Sequence, residues 1–121
     1  MLNCFFVGLG GFIGSVCRYL IGLLPIKPEN GFPVKTLMIN IVGAFIIGMI
    51  AALADKNKSL NPQFVLMIKV GVCGGFTTFS TFAYETADLL KNGNMMIAIS
   101  YVSASVILSV VAVFIAQVLF E

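Results

Sequence analysis

Histidine is absent from the chain, and only 10% of its residues are charged, seven basic against five acidic. Without histidine, imidazole acid–base catalysis is excluded, and the three cysteines, Cys4, Cys17 and Cys73, lack the partners for a His/Cys zinc site. Cys4 and Cys17 would stand ~20 Å apart along one helix at 1.5 Å per residue, beyond disulfide reach. No redox compartment follows from them. The net charge of +2 is mild and its basic residues are scattered, which argues against nucleic acid as a partner. A phosphate-binding Gly-rich Lys motif is also missing, so no nucleotide is expected. What the chain does have is apolar sequence: 60% hydrophobic residues and a mean hydropathy of +1.07. Soluble domains carry about 25% charged residues, so the chain reads as a membrane protein whose solvent is the lipid bilayer. At ~20 residues per spanning helix, four spans consume about 80 of the 121 residues and leave no room for a sizeable soluble domain.

The four runs fall at residues 2–24, 36–54, 63–90 and 95–120, which makes the chain one all-α transmembrane domain with no repeat. The first run has Arg18 as its only charge and ends at Pro25. With no Lys or Arg before it and no small-residue cleavage site after it, it is expected to stay in the membrane. An even number of spans puts both termini on one side. Lys56 and Lys58 lie on that side, whereas Lys27, Lys35 and Lys91 lie on the other. Adding Lys69 to the first side and Arg18 to the second leaves the difference at one. Positive-inside orientation is therefore almost unspecified. Two readings stay open: another determinant fixes the orientation, or the chain inserts both ways and pairs antiparallel, like an inverted repeat.

The stretch Gly71-Val72-Cys73-Gly74-Gly75-Phe76-Thr77-Thr78-Phe79-Ser80-Thr81-Phe82 is unlike a lipid-facing helix. Adjacent glycines weaken helix by ~1 kcal/mol each, and backbone freed at membrane depth survives only against protein or a hydrated cavity. The third span is expected to break near residues 74–77, at Gly74-Gly75. Carbonyls at such a break can hold a cation and amides an anion; the competing reading is that the glycines serve close helix packing. Phe79 and Phe82 share a helix face, and their positive ring edges suit a small anion, although phenyls at this spacing also fill cores. Thr77, Thr78, Ser80 and Thr81 add hydroxyls. In the second span Asn40, Ala44, Gly48 and Ala52 make a close-approach stripe, with Thr36 one turn before Asn40. Tyr101, Ser105 and Ser109 form a hydroxyl face in the fourth span. Arg18 is expected to snorkel toward the interface, the alternatives being a contact with Glu85 or a place in an anion vestibule.

Taken together, Gly14-Ser15-Val16-Cys17-Arg18, Thr36-Leu37-Met38-Ile39-Asn40-Ile41-Val42-Gly43 and the Gly71–Phe82 stretch resemble the Fluc/CrcB family of small fluoride channels, and the resemblance covers nearly the whole chain. It implies a fluoride-selective passive channel in the cytoplasmic membrane, conferring fluoride resistance, built as a dual-topology antiparallel homodimer with two pathways. It further implies a structural Na⁺ at the dimer centre, held by backbone carbonyls at Gly74 and Thr77. By the same resemblance Asn40, Phe79 and Phe82 line the pore, Ser80 and Thr81 belong to its hydroxyl track, and Tyr101, Ser105 and Ser109 line its walls. Arg18, Thr36 and Glu85 belong to the vestibules. Lys35 departs from the glycine expected before Thr36. Two other classes compete. A small dimeric multidrug exporter would need a carboxylate in the first span, and residues 1–24 contain none. A non-transporting scaffold subunit would leave the glycines and hydroxyls of residues 71–82 without a role.

Overall fold

Long apolar runs bounded by proline, glycine and asparagine become helices, and the computed structural model, which describes residues 1–121, is all-helical apart from its short connections. Helix α1 spans Leu2–Gly22 and α2 spans Val34–Lys56. The third span, Pro62–Lys91, is assembled from α3 (Pro62–Leu66), a π-helical segment (Met67–Val72), α4 (Cys73–Phe76) and α5 (Phe79–Lys91). Helix α6 runs Met95–Phe120. All four spans are long and apolar enough to cross a membrane, which makes the chain a multi-pass membrane protein. Only 18 of 121 residues are buried, so most of the apolar surface faces outward.

Local chemistry explains the helix ends. Pro62 occupies the first turn of α3 while the Asn61 side chain accepts from the Gln63 amide at 2.9 Å. Gly93, at φ +80°, closes α5 with a Schellman turn: the Asn94 amide donates to the Leu89 carbonyl at 2.8 Å and the Gly93 amide to Leu90 at 3.2 Å. The first span ends at Gly22 instead of residue 24, and α2 starts two residues before Thr36, directly after Pro33.

The third span is interrupted, but not at the glycines. Gly74 and Gly75 are helical, and the backbone leaves helix at Thr77 (ψ 158°) and Thr78 (φ −148°, ψ 116°). The expectation of a break at Gly74-Gly75 is therefore corrected to Thr77-Thr78. Gly71 and Gly75 instead let α1 come close: a methyl on Gly71 would sit 2.7 Å from the Val7 carbonyl oxygen, and one on Gly75 2.6 Å from that of Gly11. Gly71→Ala or Gly75→Ala should consequently cost about 1–3 kcal/mol through forced separation of the helices. Gly8→Ala, with nothing within 4 Å, should leave the melting temperature in detergent unchanged or slightly higher. On the other side of the bundle Gly48 of the predicted stripe packs α2 onto α6, where a methyl would meet the Val113 carbonyl oxygen at 2.8 Å and Ala116 Cβ at 3.1 Å, and Ala52 is buried. A small apolar cluster of Leu89, Ala98 and Tyr101, flanked by Phe32, Leu37 and Phe82, ties α5 to α6.

Candidate functional site

Interrupting a helix at membrane depth orphans several backbone groups, and each unsatisfied one is costly. Asn40, from α2, answers two of them. The Thr78 amide donates to Asn40 Oδ1 at 2.9 Å, and Asn40 Nδ2 donates to the Thr78 carbonyl at 3.3 Å. The Thr78 hydroxyl then caps α5 by accepting from the Thr81 amide at 3.2 Å. Arg18 takes up a further orphan, its Nε donating to the Gly75 carbonyl at 3.1 Å. The Arg18 Nε thus meets a backbone carbonyl that the break has exposed on the neighbouring span, and not the Glu85 carboxylate. Two carbonyls are treated differently. The Thr78 amide, which would close on Gly74 in an unbroken helix, is committed to Asn40, and the Thr77 carbonyl accepts no hydrogen bond in the chain.

Two cavities flank this junction, and Thr78 lines both. The first, an open cleft of about 610 Å³, brings together Asn40, Gly74, Thr77, Phe79, Phe82, Ser105 and Ser109 from α2, α4, α5, α6 and the break. The Phe79 and Phe82 rings lie 5.7 Å apart at 49°, and Phe82 leans on Tyr101 at 5.1 Å. Ser105 is buried, and its hydroxyl has no partner in the chain. The second cavity, about 760 Å³, collects Arg18, Thr36, Thr81 and Glu85. Lys27, Lys35 and Asp88 also line it, so three basic residues face two acidic ones.

Two predicted residues sit elsewhere. Tyr101 is fully buried and lines neither cavity; its hydroxyl donates to Glu85 Oε1 at 2.9 Å, so it reaches the second cavity only through that carboxylate. Ser80 is exposed and lines neither cavity; its Oγ lies 3.5 Å from Thr78 Oγ1. Thr78 itself, the residue on which both cavities meet, received no separate role in the sequence; its signal is a threonine three residues before Thr81 where a helix restarts. Lys69 and Cys73 also line the cleft, and the recurrence of Lys69, Cys73 and Thr77 at every fourth residue is the pattern that marks them. Lys35 proves structural as well: its Nζ donates to the carbonyls of Gly22 at 2.8 Å and Leu24 at 3.1 Å, where α1 ends. A cation on a helix C-terminus stabilises by about 0.3–1 kcal/mol. Lys35→Gly should lower the thermal stability by about that much, and Lys35→Arg should keep it.

Four spans, a third one interrupted, and an asparagine clamp beside an open cleft define a small membrane protein of the class in which irregular backbone lines a cavity. The profile described as CrcB-like protein, Camphor Resistance (CrcB), matches residues 5–117. Fluoride-specific ion channel FluC of Chlorobaculum tepidum is 46% identical over 105 residues, covering 87% of this chain and 83% of that protein. The protein of the same name from Gloeothece citriformis is 43% identical over 115 residues, 94% of this chain and 93% of its own length. That of Methanopyrus kandleri is 42% identical over 108 residues, 88% of this chain and 80% of its own. The chain belongs to the CrcB family of small four-span membrane proteins.

Proposed function

We propose that the chain is a fluoride-specific ion channel of the cytoplasmic membrane, not an enzyme, passing F⁻ down its electrochemical gradient. The observation that carries this reading is the cleft itself: neutral donors and two phenyl rings line it from separate elements, beside a likeness of 46% to a relative named as such a channel. Fluoride holds its hydration shell tightly, so a path must replace water with several weak donors that also release the ion. Asn40 spends one amide hydrogen on Thr78 and keeps the second for an anion. The unpartnered Ser105 hydroxyl and that of Ser109 are further donors, and Phe79 and Phe82 offer positive edges without a trapping charge. In the second cavity Arg18, Lys27 and Lys35 raise the anion concentration at the mouth. Ser80, Thr81, Thr36, Glu85 and Tyr101 belong to the polar surroundings of the same path.

The functional unit in this reading is an antiparallel homodimer with two pathways. The near-balanced Lys/Arg distribution supports it, as does the exposure of Val70, Phe79 and Val106 along the cleft, apolar surface that a single copy leaves open. A structural Na⁺ fits the Gly74 and Thr77 carbonyls, hard oxygens that the break has released from helical bonding. Bound there, the cation supplies fixed positive charge without taking part in transport. The multidrug-exporter reading has no intramembrane carboxylate in the first span to stand on, and the scaffold reading leaves the clamped break without purpose. A bacterium deprived of its own fluoride exporters should regain growth in fluoride when it carries this gene. Failure to rescue, with the protein present in the membrane, would contradict the channel reading. A tag at Glu121 should react with impermeant reagent from both sides of intact cells; labelling from one side alone, with activity retained, rules out dual topology.

A further inference from the structure

One formal charge lines the cleft: Lys69, in the π-helical segment. Every other lining residue is neutral. Lys69 lies seven residues into the third span, about 10 Å from its start at 1.5 Å per residue, at the opposite end of the cleft from Asn40 and Phe82. Gly71, two residues later, faces Gly10 of α1. A two-residue step turns the helix through roughly half a revolution, so Lys69 projects away from α1 and onto the cleft. Its surroundings leave the charge in play. Lysine takes part in the chain's side-chain hydrogen bonds only at Lys35, whose ammonium is taken up by α1 carbonyls, whereas Lys69 is exposed. A cation at membrane depth is costly unless it meets water or an anion, and π-turns recur at functional positions.

We infer that Lys69 is the anion-docking residue at the end of the pathway remote from Arg18 and Lys35, concentrating fluoride at that mouth by its charge. The inference rests on the channel reading. It gives the path a cation at each end and neutral donors between, so that the ion is attracted to both mouths and trapped at neither. It acts through the electrostatic field, so its effect is governed by ionic strength: charges interact over ~30 Å at 0.01 M salt and ~3 Å at 1 M.

The test is fluoride efflux from liposomes holding wild-type protein, Lys69→Gln, Lys69→Arg or Lys69→Glu, in about 10 mM and about 1 M potassium isethionate at constant low sodium. At low salt Lys69→Gln should lower efflux about threefold to tenfold, the modest end of electrostatic focusing by a charged cleft. The half-saturating fluoride concentration should rise, Lys69→Glu should be worse, and Lys69→Arg should match wild type. At high salt the differences should vanish. Where Lys69→Gln does not assemble, Lys69→Cys treated with cationic or anionic methanethiosulfonate reads the same charge on folded protein, the cationic reagent raising efflux and the anionic one lowering it relative to treated wild type. Equal efflux from wild type and Lys69→Gln at low salt overturns the inference, as does a deficit of the same size at both salt concentrations, which marks a packing or lipid-anchoring role. Wild-type protein that passes no fluoride overturns the channel reading instead.

Discussion

Asn40→Asp should bring fluoride efflux down to the leak of protein-free liposomes while the protein still elutes as an assembled species. The carboxylate can still accept from the Thr78 amide, since Asn40 Oδ1 does so now at 2.9 Å. It cannot donate to the Thr78 carbonyl, 3.3 Å from Nδ2, and two acceptors would face each other there. The larger loss is electrostatic. A unit charge ~4 Å from the ion costs about 4 kcal/mol at an effective dielectric constant near 20, roughly three orders of magnitude in occupancy. Fluoride-electrode recordings on purified Asn40→Asp check this, and efflux within about tenfold of wild type would remove Asn40 from the path.

Phe79→Ile is the second large effect. Phe79 is 79% exposed in the single chain, so isoleucine there leaves the packing within each copy intact, and the assembled species should still elute at its usual position. What goes is the positive ring edge. Aromatic edge contacts are worth about 1 kcal/mol, which corresponds to roughly fivefold in efflux. Phe82→Ile should lower efflux similarly but also cost stability, because Phe82 packs against Tyr101 at 5.1 Å and against Phe79. A Phe79→Ile channel with unchanged efflux would return that phenyl to mere packing.

Hydropathy alone carries the four spans, and for α6 the expected bounds of 95–120 coincide with the helix. The break was harder to locate. Gly74-Gly75 has the lowest helix propensity in the third span, yet tertiary packing overrides it, because α1 presses so closely on Gly71 and Gly75 that glycine is needed there in helical form. Helix gives way instead at Thr77-Thr78, where Asn40 offers the orphaned amide and carbonyl a substitute partner. That partner lies 38 residues away in the chain, and no local spacing encodes it. Arg18 follows the same logic: its acceptor, the Gly75 carbonyl, exists only because the helix is broken. Lys35 is invisible as a clamp until α1 and α2 are folded side by side with the first helix ending at Gly22.

Purified protein in liposomes loaded with equal fluoride and chloride provides the most direct measurement, with each anion followed by its own electrode after the membrane potential is released. Fluoride should leave rapidly through the wild-type protein and chloride at the protein-free rate, because the proposed path replaces the water of a small, tightly hydrated anion with several weak donors. Chloride efflux as fast as that of fluoride, or no efflux of either from well-folded protein, would contradict the account.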